Sequence, residues 1–399
     1  MRHHFHAFTG PMHFHHLHFY VQNAEAWQRW FVDKLAFHSM GEDAIGEERY
    51  KVLKQGDIEV RLSDANGSVA AKQYLQNHPP GVVDVGFTTS EFDRVRSRAK
   101  AQGAMLLRQG HSQNGQRYCE LSGWGDLRHT LIEQAVEKQA VSKPIVGKQT
   151  AGRQTAGKQT VGKQTVGRQT IGKQTAEKQA VIQRSDLLQT IDHVVINVAK
   201  GQMAIAADWY QRVFGLQPKQ RFEISTAHSG LCSQVLTHPS GSLQLPINEP
   251  TSHRSQIQEF LDHNRGPGVQ HAALRSPNAV GAIAHLRQRG LDLIDVPTTY
   301  YEDLCNRLVQ TDTPSVDITD LRMQQVLLDW AAGGKRGALL QTFTKPIFSE
   351  PTFFFEVIER GKYMENGQIK SAQGFGEGNF QALFEAVERA QQVRGRLDR

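Results

Sequence analysis

Two histidines and one glutamate in the C-terminal half of the 399-residue chain are of the types that bind a transition metal. His193 and His271 lie 78 residues apart and Glu356 follows 85 residues later, so no local motif joins them. Each lies in an apolar segment with strand character, where a lone histidine is more often an ordinary core residue. If three strands bring them together, two neutral imidazoles and one carboxylate form the facial triad that holds Fe(II) and leaves positions open for substrate and O₂.

The segment around Glu356, residues 351–360, is rich in β-forming residues and predicts a buried strand. Strand alternation places Thr352, Phe354, Glu356 and Ile358 on one face, and Phe353, Phe355 and Val357 on the other. An ionised carboxylate buried without a partner costs several kcal/mol, so Glu356 needs a cation. That cation is either an arginine of a structural network or a metal ion.

The length and composition are typical of a globular protein of two domains. No apolar run approaches the ~20 residues of a membrane span, and the start of the chain lacks the apolar segment of a secretion signal. Three cysteines, far apart and odd in number, argue against a disulfide framework and make the cytoplasm the expected location. The histidine-rich residues 1–18 can bind metal adventitiously.

A low-complexity tract explains the formal net charge of +6. Residues 146–180 form seven pentads of the pattern x-Gly-Lys/Arg-Gln-Thr, with seven basic side chains and one acidic, which leaves 39 basic and 39 acidic residues elsewhere. Because the charge belongs to the tract, the composition does not predict a nucleic-acid-binding face. The pentads carry no large core residue and predict a disordered, functionally neutral linker; a cationic arm for an acidic partner is the alternative.

The sequence pattern before the tract returns after it. Residues 191–198 align with 15–21, which places His193 opposite His16. Residues 268–274 align with 81–87, so that His271 faces Asp84, and residues 353–356 align with 130–133, so that Glu356 faces Glu133. The alignment predicts two halves of repeated βαβββ order. A second iron at the three first-half positions is conceivable but less favoured, because Asp84 replaces an imidazole there.

The C-terminal half resembles the 4-hydroxyphenylpyruvate dioxygenases of the vicinal-oxygen-chelate superfamily. The resemblance is carried by residues 192–195, 229–231, 245–250, 270–271, 297–301, 340–346, 351–360 and 374–380. The N-terminal half resembles the family's non-catalytic domain more loosely. Departures from the family pattern are the pentad insert, Glu377 in place of a usual lysine and Cys232 in place of a common asparagine.

The resemblance implies a site built around iron. It implies His193, His271 and Glu356 as Fe(II) ligands. It further implies a pocket with the polar residues Ser233, Asn248, Gln270, Gln341 and Asn379 and the apolar residues Pro246, Phe343, Phe354, Phe375 and Phe380. In a regular strand Gln270 points away from His271, so its place in the pocket requires a local irregularity. An ordinary aromatic core with satisfied amides is the alternative interpretation of these residues.

The implied fold is α+β, with two tandem vicinal-oxygen-chelate domains, each a pair of βαβββ modules in an open, barrel-like sheet. The expected domains are residues 12–136, non-catalytic, and 185–399, catalytic, joined by a linker over 137–184. Phe380, Leu383, Phe384 and Val387 have the spacing of an amphipathic helix, which the glycines of 374–378 would let close over the site as a lid. A permanently packed terminal helix is the alternative.

The implied reaction converts 4-hydroxyphenylpyruvate and O₂ into homogentisate and CO₂, a step of tyrosine catabolism. Hydroxymandelate synthase is a relative with the same iron and substrate that hydroxylates the benzylic carbon, but Pro246, Asn248 and Phe354 favour the dioxygenase. A metal-free module that binds a small aromatic molecule is the third hypothesis. The expected partners are small molecules and a second copy of the chain in a homodimer or other homo-oligomer, with neither nucleic acid nor membrane.

Overall fold

The fold consists of two eight-stranded sheets, one from each half of the chain. The computed structural model describes residues 10–113, 115–134, 187–225, 230–309, 317–330, 337–380, 387–389 and 391. The pentad tract and most of the predicted terminal helix lie outside these residues. No helix within the described ranges is long and apolar enough to cross a membrane.

The first sheet contains strands β1 to β8, and three helices accompany it. The strands are β1 Met12–Tyr20, β2 His38–Ile45, β3 Glu48–Gln55, β4 Ile58–Ser63, β5 Gly81–Thr89, β6 Leu106–His111, β7 Arg117–Ser122 and β8 Arg128–Glu133. The helices are α1 Ala24–Leu35, α2 Val69–Asn77 and α3 Phe92–Ala101. The side chain of Asn23 begins α1 by accepting a hydrogen bond from the Ala26 amide, which satisfies one of the free donors of the first turn.

The second half repeats this order and adds an insertion before its sixth strand. The strands are β9 Thr190–Asn197, β10 Gln217–Ser225, β11 Gly230–Thr237, β12 Gln244–Pro250, β13 Gly268–Arg275, β14 Leu327–Trp330, β15 Ala338–Phe343 and β16 Phe354–Arg360. The helices are α4 Met203–Phe214, α5 Gln256–Asn264, α6 Ala279–Gln288, α7 Thr298–Val309 and α8 Ile318–Gln324, of which α7 and α8 are the insertion. The hairpin β17 Lys362–Glu365 and β18 Gln368–Ser371 follows, and then a short 3₁₀ turn, Glu377–Asn379.

The two sheets have the same strand order. The first runs β2-β3-β4-β1-β5-β8-β7-β6 and the second β10-β11-β12-β9-β13-β16-β15-β14. Each sheet therefore joins two βαβββ modules through one antiparallel central pair, β1 with β5 and β9 with β13. This is the tandem vicinal-oxygen-chelate architecture that the sequence predicts.

Irregularities in the two central pairs occur at equivalent places. Both pairs shift register beside the equivalent histidines His16 and His193, which leaves His15 and Asp192 as extra residues in β1 and β9. Both shift again in the opposite strand, which leaves Val83 and Gln270 as the extra residues. Such β-bulges turn side chains that regular alternation would place on the other face.

The two halves share a hydrophobic core, because β16 has one face toward each half. Phe353 and Phe355 pack against Phe19 and Phe31, with ring centroids 5.1 Å apart for Phe19–Phe353 and 5.9 Å for Phe31–Phe355. Phe354 and Glu356 line a cavity on the other face of the strand. The predicted alternation over these residues is therefore observed.

Two arginines connect the halves reciprocally at helix ends. Arg98 of α3 donates to the carbonyl oxygens of Gln211 and Arg212 at the end of α4, over 2.9 and 2.6 Å. Arg289, just after α6, donates to the carbonyl oxygens of Val32 and Asp33 at the end of α1, over 2.7 Å each. Each half thus donates to carbonyls in the final turn of the other half's first helix, where the helix itself leaves most carbonyls without a partner.

Candidate metal centre

The structure brings His193, His271 and Glu356 together inside the second sheet. One ligand atom from each lies within 4.8 Å of the others, and all three residues are buried. Glu356 Oε2 is 3.2 Å from His193 Nε2 and 3.7 Å from His271 Nε2. They come from the neighbouring strands β9, β13 and β16, which explains how residues so distant in sequence meet. The arrangement gives three donor atoms facing one point.

A second carboxylate holds the far side of the His193 ring. His193 Nδ1 donates to Asp192 Oδ1 over 3.0 Å, so that Nε2 faces Glu356. Burial opposes a charge on this ring, but Glu356 and Asp192 outweigh it and raise the pKa of His193 to about 9. A proton or a metal ion on Nε2 would face the same carboxylate, so metal binding releases protons. Burial and the charge of His193 hold the pKa of His271 well below its usual value.

Glu356 uses its other oxygen to connect the centre to the C-terminal segment. Gln341 donates from Nε2 to Glu356 Oε1 and to the carbonyl oxygen of Phe375, over 2.8 Å each. Gln341 Oε1 accepts from Asn379 Nδ2 over 2.9 Å, and Asn379 Oδ1 accepts from the Tyr300 hydroxyl over 2.8 Å. This network leaves Oε2 of Glu356 as the oxygen that faces the two imidazoles.

A small cavity borders the three donors. It is lined by Ser233, Pro246, Asn248, Gln270, Phe343, Phe354, Phe375 and Phe380 as well as His193, His271 and Glu356. Eight of the ten predicted pocket residues are therefore in its wall, and the other two, Gln341 and Asn379, support Glu356 from behind. The cavity volume is about 60 Å³, well below the roughly 150 Å³ of a cavity that holds benzene. Wall side chains must move to admit an aromatic ring.

Aromatic rings fix the orientation of both histidines. Phe354 stacks on His271 with centroids 4.8 Å apart and 18° between the planes. Phe375 meets His193 edge-on at 5.1 Å. The Ser233 hydroxyl in the cavity wall is fully buried and has no hydrogen-bond partner among the described residues. It is therefore free to bind a polar group of a ligand.

A β-bulge explains how Gln270 reaches the cavity although it is adjacent to His271 in the strand. The register of β13 against β9 shifts between Val269 and His271, so Gln270 is the extra residue and reaches the cavity together with His271. Its Oε1 lies 3.2 Å from His271 Nδ1. The sequence alone does not predict where in the strand such a bulge lies.

Several cavity residues were not predicted. They are Val195, Phe222, Ile224, Leu231 and Gln256. Val195 follows His193 by two residues, so strand alternation places it on the same face and could have identified it. Gln256 begins helix α5, which the sequence analysis did not predict, and Phe222 is in the unpredicted strand β10.

The predicted equivalence of Glu133 and Glu356 is wrong by three residues. Because Asp84 pairs with Arg128 as His271 pairs with Phe354, the residue level with Glu356 is Thr130. Thr130 donates its amide hydrogen to Asp84 Oδ1 over 2.9 Å and its hydroxyl to Asp84 Oδ2. Glu133 instead pairs with Arg117 at 3.1 Å. These residues do not form a second metal centre.

A further compact group in the first half, His15, His16 and Glu59, has donors within 4.8 Å of one another. Both oxygens of Glu59 already bind cations, Arg61 Nε at 2.8 Å and Lys54 Nζ at 3.0 Å. The imidazoles contact each other through their Nδ1 atoms at 2.9 Å. A metal ion there would displace an arginine from a buried carboxylate, which makes this group a poor metal site.

The donor set in the second half fits Fe(II). Two imidazole nitrogens and one carboxylate oxygen on three adjacent strands match the facial triad, and the cavity provides the open side. His193 has its second nitrogen hydrogen-bonded to a carboxylate, and one oxygen of Glu356 is hydrogen-bonded to an amide, as is usual for metal ligands.

Comparisons with known proteins point in one direction. Residues 190–310 match the family model of the Glyoxalase/Bleomycin resistance protein/Dioxygenase superfamily. The chain is 32% identical to 4-hydroxyphenylpyruvate dioxygenase from Danio rerio, with 97% of this chain and 92% of that protein aligned. It is also 32% identical to the Xenopus tropicalis enzyme of that name, over 98% and 94%. A solved triple mutant of 4-hydroxymandelate synthase from Streptomyces coelicolor shares the fold, with a TM-score of 0.73, 23% identity and coverage of 96% and 100%.

Proposed function

Because this chain belongs to the 4-hydroxyphenylpyruvate dioxygenase family within the vicinal-oxygen-chelate superfamily, we propose that it converts 4-hydroxyphenylpyruvate and O₂ into homogentisate and CO₂. The observation that carries the proposal is the meeting of His193, His271 and Glu356 at the wall of an aromatic cavity. The reaction would make the protein part of tyrosine breakdown.

In this proposal His193, His271 and Glu356 would hold Fe(II) through Nε2, Nε2 and Oε2, the atoms that face one another. When bound, Fe(II) supplies the chelation of the 2-oxo acid and the activation of O₂ on which the oxidative decarboxylation and ring hydroxylation depend. The protein's own residues hold the ligand side chains in position. Asp192 and Gln341 hold two of the ligands, and the rings of Phe354 and Phe375 hold the imidazole planes.

The cavity residues orient the substrate and keep water away. Phe343, Phe354 and Phe380 provide apolar walls for the phenol ring, which excludes water from the reacting atoms. Ser233, Asn248 and Gln270 provide the polar groups that can hold the substrate's oxygen atoms. Because the cavity is too small for an aromatic ring, we infer that the wall opens at the half-buried Phe380 or its neighbours to admit substrate. A lid over residues 374–399 stays a prediction.

The direct test is O₂ uptake with 4-hydroxyphenylpyruvate on iron-loaded protein. His271→Ala should abolish uptake and retain the fold by circular dichroism. His263→Ala is the matched control, since His263 pairs with Glu350 outside the site and should leave uptake unchanged. Full activity of the His271→Ala variant would refute the proposed centre.

Product analysis separates the two reactions of this family. Homogentisate, identified by mass and NMR, is the expected product. 4-Hydroxymandelate would instead make the chain a synthase like its structural neighbour, whose 23% identity establishes the common fold alone. The residues Pro246, Asn248 and Phe354 in the cavity wall are the basis for expecting homogentisate.

The remaining alternative is a metal-free module that binds a small aromatic molecule. Iron content distinguishes it, provided that metal held by the histidine-rich start is subtracted with the His271→Ala variant. Domain limits of 12–136 and 185–399, a homodimer and a cytoplasmic location also remain predictions. Limited proteolysis, light scattering and cell fractionation test these three in turn.

A further inference from the structure

The ring of His193 lies between two carboxylates that contact its two nitrogens. Asp192 Oδ1 is 3.0 Å from Nδ1, and Glu356 Oε2 is 3.2 Å from Nε2. We propose that Asp192 is a positioning residue: by accepting the Nδ1 proton it directs the Nε2 lone pair to the metal ion and fixes the ring plane. This inference rests on the proposed metal centre and assigns a residue that sets its geometry.

A β-bulge makes the contact between these sequence neighbours. Adjacent residues of a regular strand point to opposite faces, so Asp192 would ordinarily turn away from His193. In β9, Ile191 pairs with Leu274 and His193 pairs with Ala273, which leaves Asp192 as an extra residue. Extra residues of this kind re-aim side chains beside functional sites. The bulge therefore has a local result, a carboxylate against the free nitrogen of a ligand.

Two arginines hold the Asp192 carboxylate in place. Arg360 donates to both oxygens, from Nη2 to Oδ1 over 2.7 Å and from Nε to Oδ2 over 2.8 Å. Arg275 donates to Oδ2 from Nε over 2.9 Å and also from Nη2. The Asp192 side chain is fully buried, so its position is set by these donors and by His193. A carboxylate held at both oxygens has little freedom to leave the ring.

Arg360 extends this support to the C-terminal segment. Its Nη1 donates to the carbonyl oxygens of Ala372 and Gly374, over 3.1 and 2.9 Å. Phe375, the next residue, lies edge-on to His193. One guanidinium thus fixes both the carboxylate behind His193 and the backbone that places an aromatic ring on it.

The arginine donors also determine how the side-chain amide of an asparagine at position 192 would be oriented. Three N–H donors meet Oδ2 and one, Arg360 Nη2, meets Oδ1, so an asparagine would keep its oxygen toward the three donors. Its NH₂ would lie toward His193 Nδ1, and the hydrogen bond from Arg360 Nη2 would be lost. Nδ1 would then accept, and the proton would move to Nε2, where it blocks the metal ion. Asp192→Asn therefore selects the wrong tautomer with little change of shape.

The test is Fe(II) binding by the full chain, with His271→Ala as the baseline for metal held outside the centre. The expected result for Asp192→Asn is a dissociation constant raised about 10- to 100-fold. In the Co(II)-loaded protein, the shifted NMR signal of the exchangeable His193 Nδ1 proton should be lost. Glu359→Gln is the matched control, because Glu359 accepts from the Ala279 amide and should leave both readouts unchanged.

An Asp192→Asn protein that folds, binds Fe(II) as tightly as the wild type and keeps the Nδ1 signal would overturn the proposal. If that variant does not fold, Arg275→Gln decides, since the Arg275 side chain is 39% exposed and its loss buries no unpaired arginine. A loss of Fe(II) affinity in Arg275→Gln, smaller than the loss expected for Asp192→Asn, supports the proposal. Unchanged Fe(II) affinity of Arg275→Gln with an unchanged Nδ1 proton signal overturns it. If the wild type binds no more Fe(II) than His271→Ala, the proposed metal centre itself fails.

Discussion

Thr130 occupies in the first sheet the position that Glu356 occupies in the second. Glu356 is level with Ala273, the residue that pairs with His193. Thr130 is level with Gly86, the residue that pairs with His16. A hydroxyl thus stands where the second half has a carboxylate, and it donates to Asp84 where the second half has His271. A different residue type at each of two positions separates the candidate metal centre of the second half from the hydrogen-bonded core of the first half.

We predict one bound iron per chain, in the second half. His16→Ala should leave the iron content unchanged, because His16 contacts His15 and Asp84 in a group that suits a metal poorly. His193→Ala should remove the iron. Metal analysis after dialysis measures both, with the wild type treated in parallel. Equal losses from the two variants would contradict the assignment.

Gly376 should be required for activity because of its closeness to Gln341. A Cβ at this position would lie 1.7 Å from Gln341 Oε1, and the backbone φ of +77° is itself unfavourable for other residues. Gly376→Ala should displace Gln341 from Glu356 and lower kcat/KM about tenfold or more.

Gly367→Ala is the control for backbone strain alone. Gly367 has a φ of +75° in the β17–β18 turn, and a Cβ there would meet nothing within 4 Å. Gly367→Ala should lose about 1 kcal/mol of stability, and Gly376→Ala should lose more, because it also breaks buried hydrogen bonds of Gln341. Only Gly376→Ala should lose activity, and an equal loss of activity in the two would argue against the contact.

Loss of either reciprocal arginine should destabilise the whole chain. Arg98→Met removes two charge-assisted hydrogen bonds to the end of α4, and Arg289→Met removes two to the end of α1. Each variant should lower the free energy of unfolding by about 1–2 kcal/mol in urea. Arg94→Met in the same helix α3 involves an exposed ion pair with Glu91 and should cost under ~1 kcal/mol.

Buried His129 should make the protein less stable in mild acid. Burial lowers the pKa of His129 to about 4, and the ring joins the halves by contacting the Val85 carbonyl and the Tyr210 hydroxyl. The unfolded chain binds a proton below about pH 6.5, whereas the folded chain does so only near pH 4. The contribution of neutral His129 to the free energy of unfolding is therefore fully present above pH 6.5. It falls by up to about 3 kcal/mol as the pH drops to 4.

Urea unfolding at a series of pH values between 7 and 4.5 measures this loss. His129→Gln should have a shallower slope, because one proton fewer binds on unfolding. His15 and His18, whose pKa values burial lowers to about 3, keep part of the slope in that variant. An unchanged slope would show that His129 does not titrate in this way.

Much of the fold and of the centre could be predicted from the sequence, because strand alternation is a local property. The faces of 351–360 and the repeated βαβββ order follow from side-chain periodicity and from the likeness of the two halves. The equivalence of Glu133 and Glu356 failed because the alignment matched residue types, whereas the β5–β8 pairing sets the true register.

The support around the ligands could not be predicted for a different reason. Arg360 meets Asp192 across 168 residues of sequence, and Tyr300 meets Asn379 across 79. The bulges at Asp192 and Gln270 arise because one strand has an extra residue relative to the strand that it pairs with. The sequence of either strand alone does not show this difference. Helices α7 and α8 have no counterpart in the first half, so the repeat gave no guide to them.

The matched bulges also show how much the backbone alone decides. Because His15 and Asp192 are extra residues at the same place in β1 and β9, the same kink occurs in both halves whatever residue it carries. In each half it brings the extra side chain against the imidazole that follows, and that side chain is an imidazole in the first half and a carboxylate in the second. The residue type at this one position therefore separates a contact between two rings from a proton acceptor behind a ligand.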